Sequence, residues 1–180
     1  MPKPPQLQMR RARLDDLPRC ALEFGYLLRT CRPGDDEVWC EVTLGHTYDG
    51  WNAEKVRSRL LSAPQFDPRG LFFVTIGSRA AGTAMAWHSD LHHRKTGELR
   101  LLIVRKEHRG KGLGKFLGMK VLQYFRDKGA SEVEVRIDDD RIPAIRTYLA
   151  LGFEPVYAAG GDSQRWAKVL RRIERQAAHA

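Results

Sequence analysis

Apolar and polar positions change period several times along this chain. The run "LFFVTI" (71–76) is short, apolar and rich in aromatic and β-branched residues, as strands are. It meets "AAGTAMAWH" across Gly77-Ser78-Arg79, which predicts an antiparallel hairpin. A further strand is expected over "ELRLLIVR" (98–105). The period then lengthens: Leu113, Leu117, Val121 and Tyr124 recur at helical spacing, and Gly129 stands where a C-terminal cap belongs. "SEVEVRI" (131–137) returns to strict alternation, so Val133, Val135 and Ile137 are expected on the buried side. Asp140 is the expected cap of a helix over 141–151, with Pro143 tolerated in its first turn. Gly152 should end that helix, and "FEPVY" should form a last short strand.

The earlier half is less regular. Residues 26–31 read as a strand and Pro33-Gly34 as a turn. Asp35 is expected to cap a helix that carries Val38, Trp39 and Val42 on one face. Asn52 should cap a second helix bearing Val56, Leu60 and Leu61, and "SQRWAKVLRRIERQ" is amphipathic. Residues 1–25 read as a basic, proline-bearing extension with one alternating run, Leu7 and Met9. The expected organisation is therefore an extension (1–25), one domain (26–157), and a basic helix (158–180) packed on or extending it. The fold class is α/β, with a sheet antiparallel in its first half and locally parallel in its second.

Composition narrows the class. A chain of 180 residues, 42% hydrophobic and 29% charged, fits one globular domain. No stretch approaches the ~20 apolar residues that span a bilayer, and the N-terminus lacks an apolar signal core. No membrane partner and a cytoplasmic location are the expectations. Cys20, Cys31 and Cys40 are an odd count without metal-ligand spacing, hence expected free thiols. The net charge of +9 favours anionic ligands. Nucleic acid is not expected, because aromatic and basic residues do not interleave. "HSDLHH" gathers His88, Asp90, His92 and His93, but an exposed polar loop is expected there, with no metal.

The segment "HRGKGLGKFLG" (108–118) joins the strand to the helix, and a glycine-rich turn that opens a helix is suited to phosphate. A Walker loop fails because Arg109 and Phe116 stand where Gly and Ser or Thr are needed. The dinucleotide fingerprint fails at Lys115 and Leu117. Arg109-Gly110-Lys111-Gly112-Leu113-Gly114 matches the Q/R-x-x-G-x-G/A pattern of the GNAT (Gcn5-related) acetyltransferases, and the chain resembles that family here. "DDDRIPAIRTYLALGF" is similar to the family's second landmark, with Ala144, Tyr148, Gly152 and Phe153 in register. Arg141 stands where the family often has Asn. The resemblance covers about residues 26–157 and is most specific over 98–157.

The resemblance implies a GNAT acyl-CoA N-acyltransferase fold, a mixed central sheet with a splayed parallel pair, flanked by helices. The family's last strand pairs in a hairpin; here a basic helix follows Tyr157, so the far edge of the sheet is expected to differ. It further implies an N-acetyltransferase that uses acetyl-CoA as donor and a small-molecule or peptide amine as acceptor. The amides of Arg109 to Gly114 would hold the pyrophosphate, with charge from Arg109, Lys111 and Lys115, and Arg141 would reach a phosphate. Leu102, Ile103 and Val104 would pair with pantetheine, and the amide of Ile103 or Val104 would polarise the thioester. Tyr148 would be the acid at sulfur. Glu98, eleven residues before Arg109, would be the base, with water chains, His88 and Asp90 as competitors. The acceptor pocket would be built by residues 35–62 and 88–97. Open alternatives are another acyl-CoA donor, and a catalytically silent CoA-sensing or nucleic-acid-binding module. A homodimer is also left open.

Overall fold

Alternating and apolar runs become seven strands in the computed structural model, which describes residues 4–44, 50–89, 95–158 and 161–178. In chain order they are β1 (Leu7–Arg11), β2 (Tyr26–Thr30), β3 (Leu71–Ile76), β4 (Arg79–Trp87), β5 (Thr96–Val104), β6 (Glu132–Ile137) and β7 (Glu154–Val156). The helices are α1 (Asp35–Thr43), α2 (Ala53–Val56, continued by a π-type turn over Arg57–Leu61), α3 (Leu113–Asp127), α4 (Ile142–Ala150) and α5 (Asp162–Ala177). The strands form one sheet in the order β2-β3-β4-β5-β6-β1-β7. Every pairing is antiparallel except β5 with β6.

Period-two alternation divides the sheet into two faces. Phe72, Val74, Ala84, Ala86, Leu99, Val133 and Val135 point to one side, where they pack with residues of α3, α4 and α5. Leu71, Phe73, Met85 and Trp87 point to the other and are covered by Trp39 and Val42 of α1 and Val56 of α2. The basic α5 packs on the domain: Trp166 is fully buried and its indole N–H donates to the Val156 carbonyl at 3.2 Å. Gly118 lies on α3 where a Cβ would overlap the side chain of Leu151, with Leu99 of β5 at 3.6 Å. That glycine lets α3 approach the end of α4 as well as the sheet.

Residues 1–25 are more than an extension. β1 pairs along its whole length with β6, from Leu7↔Ile137 to Arg11↔Val133, and with β7 through Gln8↔Val156 and Arg10↔Glu154. The N-terminal strand thus fills an interior slot of the sheet, and the far edge differs from a C-terminal hairpin as expected. Two helix starts also differ. α1 is capped by Gly34 at φ 89 rather than by Asp35, whose carboxylate is held by Arg29 at 2.6 and 2.8 Å. At α4 the cap position falls to Arg141, with no side-chain cap bond, rather than to Asp140. Asn52 caps α2 as its type predicts, accepting from the Lys55 amide at 2.9 Å.

Candidate active site

β5 and β6 run parallel but pair only from Thr96↔Glu132 to Glu98↔Glu134. Past Glu98 the pairing stops although both strands continue, and the gap between them is a cleft of about 290 Å³. Glu98, Arg100, Leu101, Leu102, Ile103 and Tyr148 are among its lining residues. On its other side β5 pairs with β4, and the register slips between Thr83↔Ile103 and Met85↔Arg100. Leu101 and Leu102 therefore oppose the single residue Ala84, which makes a β-bulge. Leu101 takes φ 58, unlike any other described non-glycine residue. Such a conformation costs a branched side chain roughly 1–3 kcal/mol, and strain of this kind clusters at functional sites. A bulge also releases backbone polar groups from the ladder, here beside the cleft.

Beyond Val104 the chain makes a 3₁₀ turn over Lys106–His108 and enters α3 through Gly110 (φ 80) and Gly112 (φ 72). Side chains rarely adopt these angles, which is why glycine stands at both. A Cβ at either would meet nothing within 4 Å, so this backbone faces open space. The amides of Leu113, Gly114 and Lys115 precede any carbonyl of their own helix and lie at its positive end. That donor set fits a pyrophosphate. Arg109 Nε donates to the Val104 carbonyl at 3.1 Å and ties the loop to β5. Lys111 lies 5.4 Å from the centre of the Tyr26 ring and 3.8 Å from Glu23, and the Tyr26 contact raises its pKa. Tyr26 in turn bonds His108 Nδ1 at 2.9 Å, anchoring the approach to the loop on β2.

Tyr148 reaches the cleft from α4 and is only 4% exposed, edge-on to Phe153 at 5.7 Å. Burial pushes its phenol above the ordinary tyrosine range, with Arg141 partly offsetting the shift. Arg141 stands at the cap position of α4, lines the cleft, and lies 3.9 Å from Asp138. Asp138 also accepts from Gln6 at 3.2 Å, so the N-terminal segment contributes to the cleft wall. Glu98 is 8% exposed; its Oε2 accepts from the Ser89 hydroxyl and bridges to Arg100 at 2.9 Å.

Sequence order did not foresee which neighbours Glu98 would have. His88 and Ser89 are adjacent, yet their side chains go to different places. Ser89 meets Glu98, whereas His88 Nε2 bonds the Tyr124 phenol at 3.2 Å and packs edge-on against Phe125 of α3. Tyr124 donates to Asp67 at 2.8 Å, which leaves His88 Nε2 as the donor to the phenol oxygen. His88 thus lies in a separate cavity of about 390 Å³ with Phe66, Asp67 and Lys128, away from Glu98 and Tyr148. Asp90, His92 and His93 fall outside the described residues. Gln6 and Asp138 belong to the cleft without any sequence signal, because the β1–β6 pairing brings together residues 132 positions apart, whereas Arg100 lies there on β5 itself, between Glu98 and Leu102.

Comparison with known proteins agrees with this geometry. A model of the acetyltransferase (GNAT) family matches residues 36–153. A mycothiol acetyltransferase of Thermomonospora curvata is 36% identical over 154 residues, covering 82% of this chain and 50% of that protein. A mycothiol acetyltransferase of Thermobispora bispora is 33% identical, covering 81% of this chain and 52% of its own length. The chain therefore spans about half the length of the curated relatives it matches. Among solved structures, a GCN5-related N-acetyltransferase of Sphaerobacter thermophilus shares the fold with a TM-score of 0.71 at 23% identity, over 85% of this chain and 50% of that one. Among the described residues no helix is long and apolar enough to cross a membrane.

Proposed function

Because this chain belongs to the GNAT acetyltransferase family, we propose that it transfers the acetyl group of acetyl-CoA directly to the primary amine of a small molecule or peptide. The observation that carries this reading is the cleft between β5 and β6. It has a strained bulge at Leu101 on one wall, and β5 leads on to the open glycine segment. The amides from Arg109 to Lys115 hold the pyrophosphate, and Arg109, Lys111, Lys115 and Arg141 supply charge. Pantetheine lies along Leu102, Ile103 and Val104 like an added strand. An amide near the bulge, in the stretch Leu101 to Val104, polarises the thioester carbonyl. The ammonium first gives a proton to Glu98; the freed amine nitrogen attacks the carbonyl carbon, the carbon–sulfur bond breaks, and the second proton of that nitrogen passes to the leaving thiolate, which departs as CoA thiol.

Tyr148 faces the leaving sulfur in this scheme. An ordinary thiol titrates near about 8.5, well below a buried phenol, so complete proton transfer from Tyr148 to thiolate is uphill. Its role is a hydrogen bond that stabilises the charge developing on sulfur while the phenol keeps its proton. Two measurements test the function together. Acetyl-CoA should raise the melting temperature, and free CoA thiol should appear when amines are added. A thermal shift without thiol release from any amine would leave a silent CoA-binding module; neither signal would reject CoA altogether.

A further inference from the structure

The acceptor side of the cleft carries a guanidinium in a fixed position. Arg100 directly precedes the bulged Leu101 and pairs with Met85, whose side chain is buried under α1 and α2. Arg100 therefore belongs to the sheet face opposite α3, the helix whose first turn offers the pyrophosphate site. Among the described residues two contacts hold it: Nη2 bridges to Glu98 Oε2 at 2.9 Å, and the guanidinium stacks 4.9 Å from the ring centre of Trp87. Trp87 and Glu98 are themselves direct cross-strand partners, so all three side chains share one rigid patch. The Arg100 side chain keeps 35% of its surface exposed and lines the cleft. The lining residues as a whole carry three guanidiniums (Arg100, Arg136, Arg141) against two carboxylates (Glu98, Asp138).

A cation at this place is a poor neighbour for a plain amine. An acceptor enters largely as ammonium, and a guanidinium beside the reacting centre repels it. The same fork binds a carboxylate through charge-assisted, often bidentate bonds. Glu98, held against Arg100, offers the ammonium its opposite charge. We infer that Arg100 selects the acceptor, and that the acceptor is an aminocarboxylate, with its ammonium at Glu98 and its carboxylate on Arg100. The inference rests on the acetyl-transfer reading above and names the acceptor class of the same site.

The test compares aminocarboxylates with their decarboxylated counterparts, such as phenylalanine with phenethylamine and lysine with cadaverine, using thiol release from acetyl-CoA. Wild type should favour the carboxylate-bearing member of each pair in kcat/KM by about tenfold or more, the usual effect of one charge-assisted pair. In Arg100→Met that ratio should fall to about one, whatever happens to the overall rate. Arg100→Lys, which keeps the charge without the fork, should give an intermediate ratio and guards against a Met variant that does not fold. A wild-type ratio near one, a preference for the decarboxylated member, or a ratio unchanged in both variants overturns the assignment to Arg100. Absence of thiol release with every acceptor, despite a thermal shift with acetyl-CoA, overturns the transferase reading and the assignment with it.

Discussion

Replacing Arg11 by Met tests whether the N-terminal strand is bound into the catalytic framework. Arg11 ends β1 and is 8% exposed. Its Nε donates to the Arg13 carbonyl at 2.8 Å, Nη2 to the Asp16 carbonyl at 3.0 Å and carboxylate at 2.7 Å, and Nη1 to the Leu151 carbonyl just beyond α4. A cation is favourable at a helix C-terminus. Gly152, at φ 79, leaves the space that Nη1 occupies, since a Cβ there would overlap the guanidinium. Methionine keeps the apolar stem and loses every donor. The buried Leu151 carbonyl then costs about 1–3 kcal/mol. The exposed Asp16 ion pair adds no more than about 1 kcal/mol, and the Arg13 bond about 1 kcal/mol. A total near 4 kcal/mol lowers the melting temperature of a domain of this size by about 10 °C. Thermal unfolding followed by circular dichroism measures it. Gly152→Ala, which displaces the same guanidinium, should lower the melting temperature as well. A drop below about 3 °C in both variants would refute the clasp.

Three further outcomes follow from the site. Tyr148→Phe should reduce turnover at least tenfold, roughly one lost hydrogen bond to developing charge, while the acetyl-CoA thermal shift persists; unchanged turnover removes Tyr148 from the mechanism. Glu98→Gln should lower kcat/KM by about a hundredfold or more, because an amide cannot take the proton that a carboxylate base accepts; an unchanged kcat/KM excludes Glu98. Burial, with Asp35 adding to it, pushes the Cys31 thiol up to about 11, so its alkylation should reach half its maximal rate near that pH rather than near the ordinary value of about 8.5. The sign for stability is equally definite. A raised folded value means the contribution is complete below the unfolded thiol's pKa and is lost as pH climbs toward about 11. Mass spectrometry of the Cys31 peptide after timed iodoacetamide treatment decides it.

What was legible in the sequence is what local periodicity encodes. Leu113, Leu117 and Val121 are all buried on α3, and Val133, Val135 and Ile137 all face the core from β6. The glycine segment was readable because spacing alone separates one phosphate loop from another. β1 was not. Its alternation, Leu7 and Met9, is only a strand signature, and its partners lie more than a hundred residues away. The bulge was hidden for a different reason: Leu101 holds a positive φ without being glycine, so the surrounding sheet imposes the conformation. His88 shows the limit of proximity in sequence. Alternation sends it to the α3 face while Ser89, one residue on, meets Glu98.

The cleft itself depends on the strand that was hardest to place. Parallel neighbours in an open sheet ordinarily pair along their length, so β5 and β6 need a reason to part after Glu98↔Glu134. Each pairs over a longer stretch on its outer side than with the other. β5 is paired to β4 from Trp87↔Glu98 to Gly82↔Val104, and β6 is paired to β1 at all five positions from Leu7 to Arg11. Those outer ladders fix two diverging directions, and the bulge at Leu101 adds local bending to β5. The slot beside β6 requires only an antiparallel strand with Leu and Met alternating toward the core. A strand from the N-terminal end meets that requirement as well as one arriving from the other end of the chain. Chain order at the slot can therefore change while the splayed pair, the bulge and Tyr148 keep their places, because what holds the cleft open is the ladder on β6 and not the direction from which its partner strand arrives.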